Sequence, residues 1–240
     1  MKTVLITGAN KGIGLEAAAE LARLGYFIYL GCRNLTLGQQ ALDGLHQQGL
    51  TNTTLLEIDV TQPESIRKAV EQVAANGPSL DVLINNAGIP GAFPQDASSI
   101  PIDTIRYVFE TNFFGVIQVT QAFMPLLRQS DAPRIVNVSS GLGSLTYLQD
   151  TTNEYYYLSP AAYTPSKTVL NAYTLMLAKE LQHTPFKVNV VDPGYTATDF
   201  NNNQGVKPVD QAGRFVATFA TLDADGPTGR FFGEEGEIPW

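Results

Sequence analysis

The chain has 240 residues, 44% of them hydrophobic, one cysteine and a formal charge of -8 from 23 acidic and 15 basic side chains. This supports a core large enough for a single domain over residues 1–240, and the scattered acidic balance, with no basic stripe, excludes nucleic acid and anionic membrane surfaces as expected partners. No run approaches the ~18 apolar residues of a membrane span, the amino terminus lacks a signal-peptide pattern, and Cys32 alone can build neither a disulfide nor a cysteine metal site; a cytoplasmic protein without metal is expected.

Short β-rich apolar runs then alternate with longer stretches of helical period, the pattern of repeated βαβ units. In chain order the sequence predicts a strand at Thr3–Thr7, a helix at 13–24, a strand at 27–31 and a helix at 35–48. A strand at 53–58 follows, then a helix at 62–75 that opens on Thr61-Gln62-Pro63-Glu64, the spacing of a capping box. Next come a strand at 81–84 and a long helix at 103–129, with Ile105, Val108, Phe109, Phe113, Val116, Val119, Phe123 and Leu127 at three- and four-residue steps. The last elements are a strand at Arg134–Val138, a helix at 163–182, and strands at 186–191 and 229–232. Together they predict a Rossmann-like, three-layer α/β fold around a doubly wound parallel sheet of seven strands. The stretches 141–160 and 194–208 are too irregular for an element and follow strands at their carboxyl ends, where such sheets bind ligands. His46 and His183 lie in polar helix-like stretches and read as surface residues.

Directly after the first strand comes Thr7-Gly8-Ala9-Asn10-Lys11-Gly12-Ile13-Gly14, leading into a helix. Its glycines allow a tight turn and close approach of backbone amides to a pyrophosphate at the positive end of the helix. The spacing is Gly-x-x-x-Gly-x-Gly, and its place after strand one carries the signal rather than the glycines alone. At the end of the second strand an acidic side chain would bind a ribose 2′-hydroxyl and repel a 2′-phosphate. Here the chain reads Gly31-Cys32-Arg33, so Arg33 and Lys11 are expected to converge on a phosphate and select NADP(H).

Tyr163 and Lys167 are four residues apart at the start of a helix, on one face. A neighbouring ammonium stabilises a phenolate, so the pair predicts a tyrosine with lowered pKa, usable as a proton donor. Pro165 between them fits only a first turn, which places the helix start near Ala161 or Ala162.

With the Thr7–Gly14 loop, Asn85-Asn86-Ala87-Gly88 after strand four, Val138-Ser139-Ser140 ending strand five and Tyr163-Thr164-Pro165-Ser166-Lys167, the chain resembles the short-chain dehydrogenase/reductase family, and within it the carbonyl-reductase group. Asp59-Val60, Thr111-Asn112 and Pro193-Gly194 extend the resemblance over essentially the whole chain. The resemblance implies that Ser140, with Ser139 as its rival, bonds the substrate carbonyl oxygen while Tyr163 protonates it, that Lys167 binds the nicotinamide ribose, and that Asn112 holds a water for proton replenishment. It further implies that Gly8, Asn10, Lys11, Gly12, Ile13 and Gly14 hold the pyrophosphate side, that Asp59, Val60, Asn86, Ala87 and Gly88 line the adenosine side, and that Pro193, Gly194, Thr196 and Thr198 line the nicotinamide side.

The expected activity is NADPH-dependent reduction of aldehydes or ketones, a small-molecule carbonyl substrate. The alternatives are an NAD(P)-dependent alcohol or steroid dehydrogenase working oxidatively, and a non-catalytic NADP-binding regulator. The interval from Ser140 to Tyr163 is longer than in compact family members and shorter than in the long monomeric carbonyl reductases. A homo-oligomer, dimer or tetramer, is expected. The apolar and aromatic side chains of 141–160, together with Tyr195 and Phe200, are expected to overhang the site and favour bulky uncharged substrates.

Overall fold

The computed structural model describes residues 1–240. Strands β1 (Thr3–Thr7), β2 (Phe27–Cys32), β3 (Thr53–Glu57), β4 (Val82–Asn85), β5 (Arg134–Val138), β6 (Lys187–Val191), β7 (Phe231–Gly233) and β8 (Gly236–Glu237) form one sheet in the order β3-β2-β1-β4-β5-β6-β7-β8. The first seven are parallel neighbours, in the places expected from the sequence. The eighth adds to the expected seven: β8 turns back antiparallel on β7, too short to leave a periodic pattern.

Alternation along the strands divides the core into two layers. Val4, Ile6, Ile28, Leu30, Val82, Ile84 and Val136 face the layer built with helices α1 (Gly12–Arg23) and α2 (Leu35–Gln47). Leu5, Tyr29, Leu83, Ile135 and Val188 face the opposite layer, with α3 (Pro63–Asn76). The expected 103–129 helix is continuous but not uniform. It runs as α4 (Ile102–Phe109), one π-helical turn over Glu110–Phe114, and α5 (Gly115–Leu127), which joins the α3 layer through Val119, Phe123 and Leu127. A π-turn widens the helix locally and often marks a functional position. This one contains Asn112.

The stretch 141–160 holds a short helix α6 (Leu145–Gln149) between two 3-10 turns, and α7 (Tyr163–Glu180) begins where Pro165 requires. Residues 209–220, to which the sequence pattern assigns no element, form α8 (Val209–Ala220). Its Gly213 lies so close to α1 that a Cβ there would meet Ala17 N at 2.8 Å, which is how α8 completes the α1 layer. The capping box at Thr61–Glu64 does not form. Gln62 is the N-cap of α3 without a side-chain bond, Thr61 Oγ1 donates instead to Asp59 Oδ1 at 2.7 Å, and Glu64 pairs with Arg67. Pro63 takes the first helical position, which its fixed φ and missing N–H favour, so the N-cap falls on Gln62 and not on Thr61. No helix is long and apolar enough to cross a membrane.

Candidate active site

Strand order reverses between β1, which leads outward through β2 to β3, and β4, which leads through β5 to β7. The loops after β1 and β4 therefore diverge and leave a crevice at the carboxyl ends of the strands. Gly8 and Gly12, with φ of 66° and 58°, make the left-handed turns of the first loop. Gly14 packs directly under the Asn86 side-chain amide, where a Cβ would collide with Nδ2. Asn86 Nδ2 donates to Thr7 O at 2.9 Å and Gly8 O at 3.2 Å, while Thr7 Oγ1 accepts from Asn86 N at 3.0 Å and Ala87 N at 3.1 Å. The side chain of Asn86 thus braces the phosphate loop. The first turn of α1 carries no acidic residue and its N-cap no side-chain bond, so the amides at its start remain available to an anion, which fits a dinucleotide pyrophosphate.

The other expected cofactor residues fall around the same crevice. Asp59 Oδ1 is occupied by Thr61, through its amide at 2.9 Å and its hydroxyl. Val60 is buried against Gly115, at the start of α5. Arg33 directly follows β2 and is exposed. The Lys11 ammonium bonds Asp199 Oδ2 at 3.0 Å, which ties the first glycine loop to the 194–208 stretch. Thr198 lies against Gly12 in the same contact, and the buried Thr196 donates to Gly194 O at 3.1 Å.

Across the crevice, α7 carries Tyr163 and Lys167 toward the end of β5. The buried Lys167 ammonium donates to Val138 O at 2.8 Å and lies 5.7 Å from the Tyr163 ring centroid. Burial lowers its pKa to about 8, with the carboxylate of Asp192 opposing that shift. The tyrosine departs from expectation. Its pKa is raised, first by burial of the hydroxyl and then by the negative Asp192, and the Ser140 hydroxyl beside it only partly offsets this. The Lys167 ammonium, bonded to the Val138 carbonyl, is not among the groups that set this shift.

The two serines differ in their hydrogen bonding. Ser139 Oγ is buried and donates to Asn171 Oδ1 at 2.6 Å, whereas Ser140 is partly exposed beside Tyr163 and accepts only from Leu142 N, at 3.2 Å. Asn112 is fully committed as well. Its Oδ1 accepts from Ile89 N at 2.8 Å, and Nδ2 reaches Ile89 O and Ser166 Oγ, each at 3.0 Å. It fastens the loop after Gly88 to α7, and the π-turn sets the side chain in position to do so.

Each irregular stretch brings one aromatic ring close to the side chains of the site. The Phe200 ring stands 5.6 Å from the Tyr163 ring, edge-on. Tyr155 packs on Gly141, next to Ser140, and its hydroxyl donates to Asp192 Oδ2 at 3.4 Å. Tyr157 and Leu158, by contrast, point away, at 81% and 48% exposure, so only part of the aromatic wall expected from the sequence faces the site. Two residues at the site carry no motif. Asp192, a carboxylate closing the apolar strand β6, could have been flagged as a buried charge; Gln95, in the loop after β4, has no sequence signal.

An α/β fold with a glycine turn feeding a helix at the switch point, and a phenol, a hydroxyl and an ammonium across from it, defines a dinucleotide-dependent oxidoreductase. Comparison with known proteins gives the family: the short chain dehydrogenase model matches residues 2–208, and the chain belongs to the short-chain dehydrogenase/reductase family, whose members are NAD(P)-dependent oxidoreductases acting on CH–OH or C=O groups. Salutaridine reductase of Papaver bracteatum is 32% identical over 295 aligned residues, covering 97% of this chain and 94% of that protein. Short-chain dehydrogenase anuI of Penicillium roqueforti is 36% identical over 236 residues, covering 96% and 92%. Among solved structures, NADPH-bound carbonyl reductase from chicken fatty liver superposes with a TM-score of 0.86 at 27% identity, covering 100% of this chain and 99% of that one.

Proposed function

We propose that this chain is an NADPH-dependent carbonyl reductase for uncharged aldehydes and ketones. The observation that carries the reading is a desolvated Tyr163 phenol set beside Ser140, with the Lys167 ammonium behind it. Bound between the two walls, the cofactor would supply a hydride. Ser140 holds the carbonyl oxygen through its hydroxyl, and Tyr163 gives that oxygen a proton as it becomes an alkoxide. At neutral pH the phenol carries the proton that reduction requires, whereas the same group working oxidatively would have to begin as a phenolate, which burial disfavours further. Lys167 holds the nicotinamide ribose and supplies positive charge beneath the tyrosine as its proton leaves. Asn112, Ser166 and Ile89 fix the relation between α7 and the loop after β4.

Selection of NADP(H) rests on Arg33 at the end of β2, with no carboxylate at Cys32. The preference for uncharged substrates rests on Phe200 at the phenol, on Tyr155 packed on Gly141 next to Ser140, and on the neighbouring Asp192, which disfavours an anion. The carbonyl-reductase name of the chicken neighbour and the reductase name of the Papaver relative agree with this reading. The test is NADPH consumption with a panel of aldehydes, ketones and keto acids, repeated with NADH. Turnover of uncharged carbonyls with NADPH is expected. Tight NADPH binding without turnover of any carbonyl would instead mark a non-catalytic binding protein, and a preference for NADH would remove the phosphate-pocket argument.

A further inference from the structure

Gln95 is 4% exposed, and both polar atoms of its side-chain amide are hydrogen-bonded. Oε1 accepts from Ala162 N at 3.0 Å and Tyr163 N at 3.1 Å, and Nε2 donates to Pro90 O at 2.7 Å. Its backbone carbonyl accepts from Ala161 N, also at 3.0 Å. Helix α7 has no cap of its own, since its N-cap residue is Ala162. The first-turn donors can be accounted for one by one. Thr164 N bonds Pro160 O at 2.9 Å, Pro165 has no N–H, and Ser166 N bonds Ala162 O at 3.3 Å. The Tyr163 amide is therefore satisfied by Gln95 alone, from a loop 68 residues earlier that runs on from Asn86-Ala87-Gly88. Gly91, with φ of 80°, lets the loop fold against this amide, 3.0 Å from where its Cβ would lie.

We propose that Gln95 is a positioning residue for Tyr163: its amide clamps the loop after β4 to the first turn of α7 and so sets the phenol against Ser140. This rests on the reading of Tyr163 as proton donor. An N1 residue whose amide is released lies in a fraying turn, and a displacement of about 1 Å at a reacting group can cost up to ~100-fold in rate.

Two substitutions test the clamp in the full-length protein. Gln95→Met keeps the shape and loses the acceptor and the donor. It should lower kcat per NADPH-binding site by about ten-fold, leave the dissociation constant for NADPH within about two-fold, and speed amide exchange across residues 161–166. Gln95→Glu supplies a second readout. When protonated, its carboxyl can accept from both amides and donate to Pro90 O, as the native amide does; when ionised, it loses the donor and faces that carbonyl with a negative charge. Its kcat should approach the native value as pH falls and decline as pH rises, a dependence beyond any in the native protein. Faster exchange in Gln95→Met with native kcat would overturn the positioning role, as would unchanged exchange, or a Gln95→Glu profile parallel to the native one. If Tyr163→Phe retained native turnover, the proton-donor reading would fail by itself, and the exchange measurement would still report on the clamp.

Discussion

The two walls of the crevice are held in different ways. On the β1–β4 side, Thr7, Gly8, Asn86 and Ala87 exchange four bonds of 2.9 to 3.2 Å inside two short motifs, and the glycine turns fix the backbone. On the β5–β6 side, the stretches 141–160 and 194–208 are held by isolated long-range ties: Tyr155 to Asp192, Ser144 to Pro239 O at 2.6 Å, and Lys207 to Pro193 O at 2.8 Å and Glu234 at 2.9 Å. The first wall has to present amides to a charged group of fixed shape, and its two motifs, far apart in sequence, brace each other through several bonds that share Thr7 and Asn86. The second has to fit a substrate, and its form rests on single ties between separate segments, so one substitution there alters one contact without disturbing the others.

The largest effect expected from this contrast is chemical. Tyr163→Phe should lower turnover by at least about a hundred-fold, the lower range for a general acid, while NADPH binding stays intact because the β1–β4 wall is untouched. Steady-state rates and fluorescence titration of NADPH check the two halves separately, and near-native turnover would remove Tyr163 from its role. Next in size, Arg33→Asp should raise the KM for NADPH about ten-fold or more, since a charge-assisted phosphate contact contributes about 1.5 to 3 kcal/mol. An unchanged KM would show that the exposed guanidinium does not meet the phosphate.

Legibility in the sequence follows the same division. The seven parallel strands, the glycine loop and the Tyr163–Lys167 pair could be read because each is a local pattern: alternation, a turn before a helix, one face of a helix. The α8 helix buries Ala212, Gly213, Val216, Ala217, Phe219 and Ala220, but it is short and follows directly on the irregular 194–208 stretch. Four of these six are alanine or glycine, which pack closely on α1 and dilute the bulky apolar stripe that marks a helix by period. The committed amide of Asn112 and the role of Asn86 as a brace depend on partners 23 and 79 residues away, which no spacing encodes. Lowering of the tyrosine pKa by its lysine was a pairwise expectation, and burial together with Asp192 outweighs it.

A smaller effect separates residues within the second wall. Tyr155, packed on Gly141, and Tyr157, at 81% exposure, belong to the same 3-10 turn, Glu154–Tyr157. Tyr155→Ala should change the ratio of kcat/KM for an aryl ketone to that for a small ketone by about five-fold, within the range for removing apolar contact from a pocket, while Tyr157→Ala leaves it unchanged. Equal ratios in both variants would mean that the segment only packs on the body of the protein.

The smallest expected effect is a displacement of the pH profile by Asp192. Its carboxylate is buried, accepts from Gly194 N at 2.9 Å and from the Tyr155 hydroxyl, and is faced by Tyr147, Tyr163, Lys167 and Lys207, the last paired with Glu234. Burial raises the pKa of Asp192, while the Gly194 and Gly141 amides, Lys207 and the Tyr155 hydroxyl pull it back. The negative charge raises the pKa of both Lys167 and Tyr163. For a lysine held near 8, the ammonium is present below that pH and lost above it, so kcat for reduction should fall on the alkaline side through about 8. Asp192→Asn keeps the volume and an acceptor for Gly194 N but removes the charge. Lysine then loses its proton at lower pH, and the alkaline limb should move down while the β1–β4 wall, and with it NADPH binding at neutral pH, is unaffected. A limb that stays in place would mean that Asp192 ties down the loops without acting on the charge of the site, and a limb that moves upward would contradict the sign of the coupling itself.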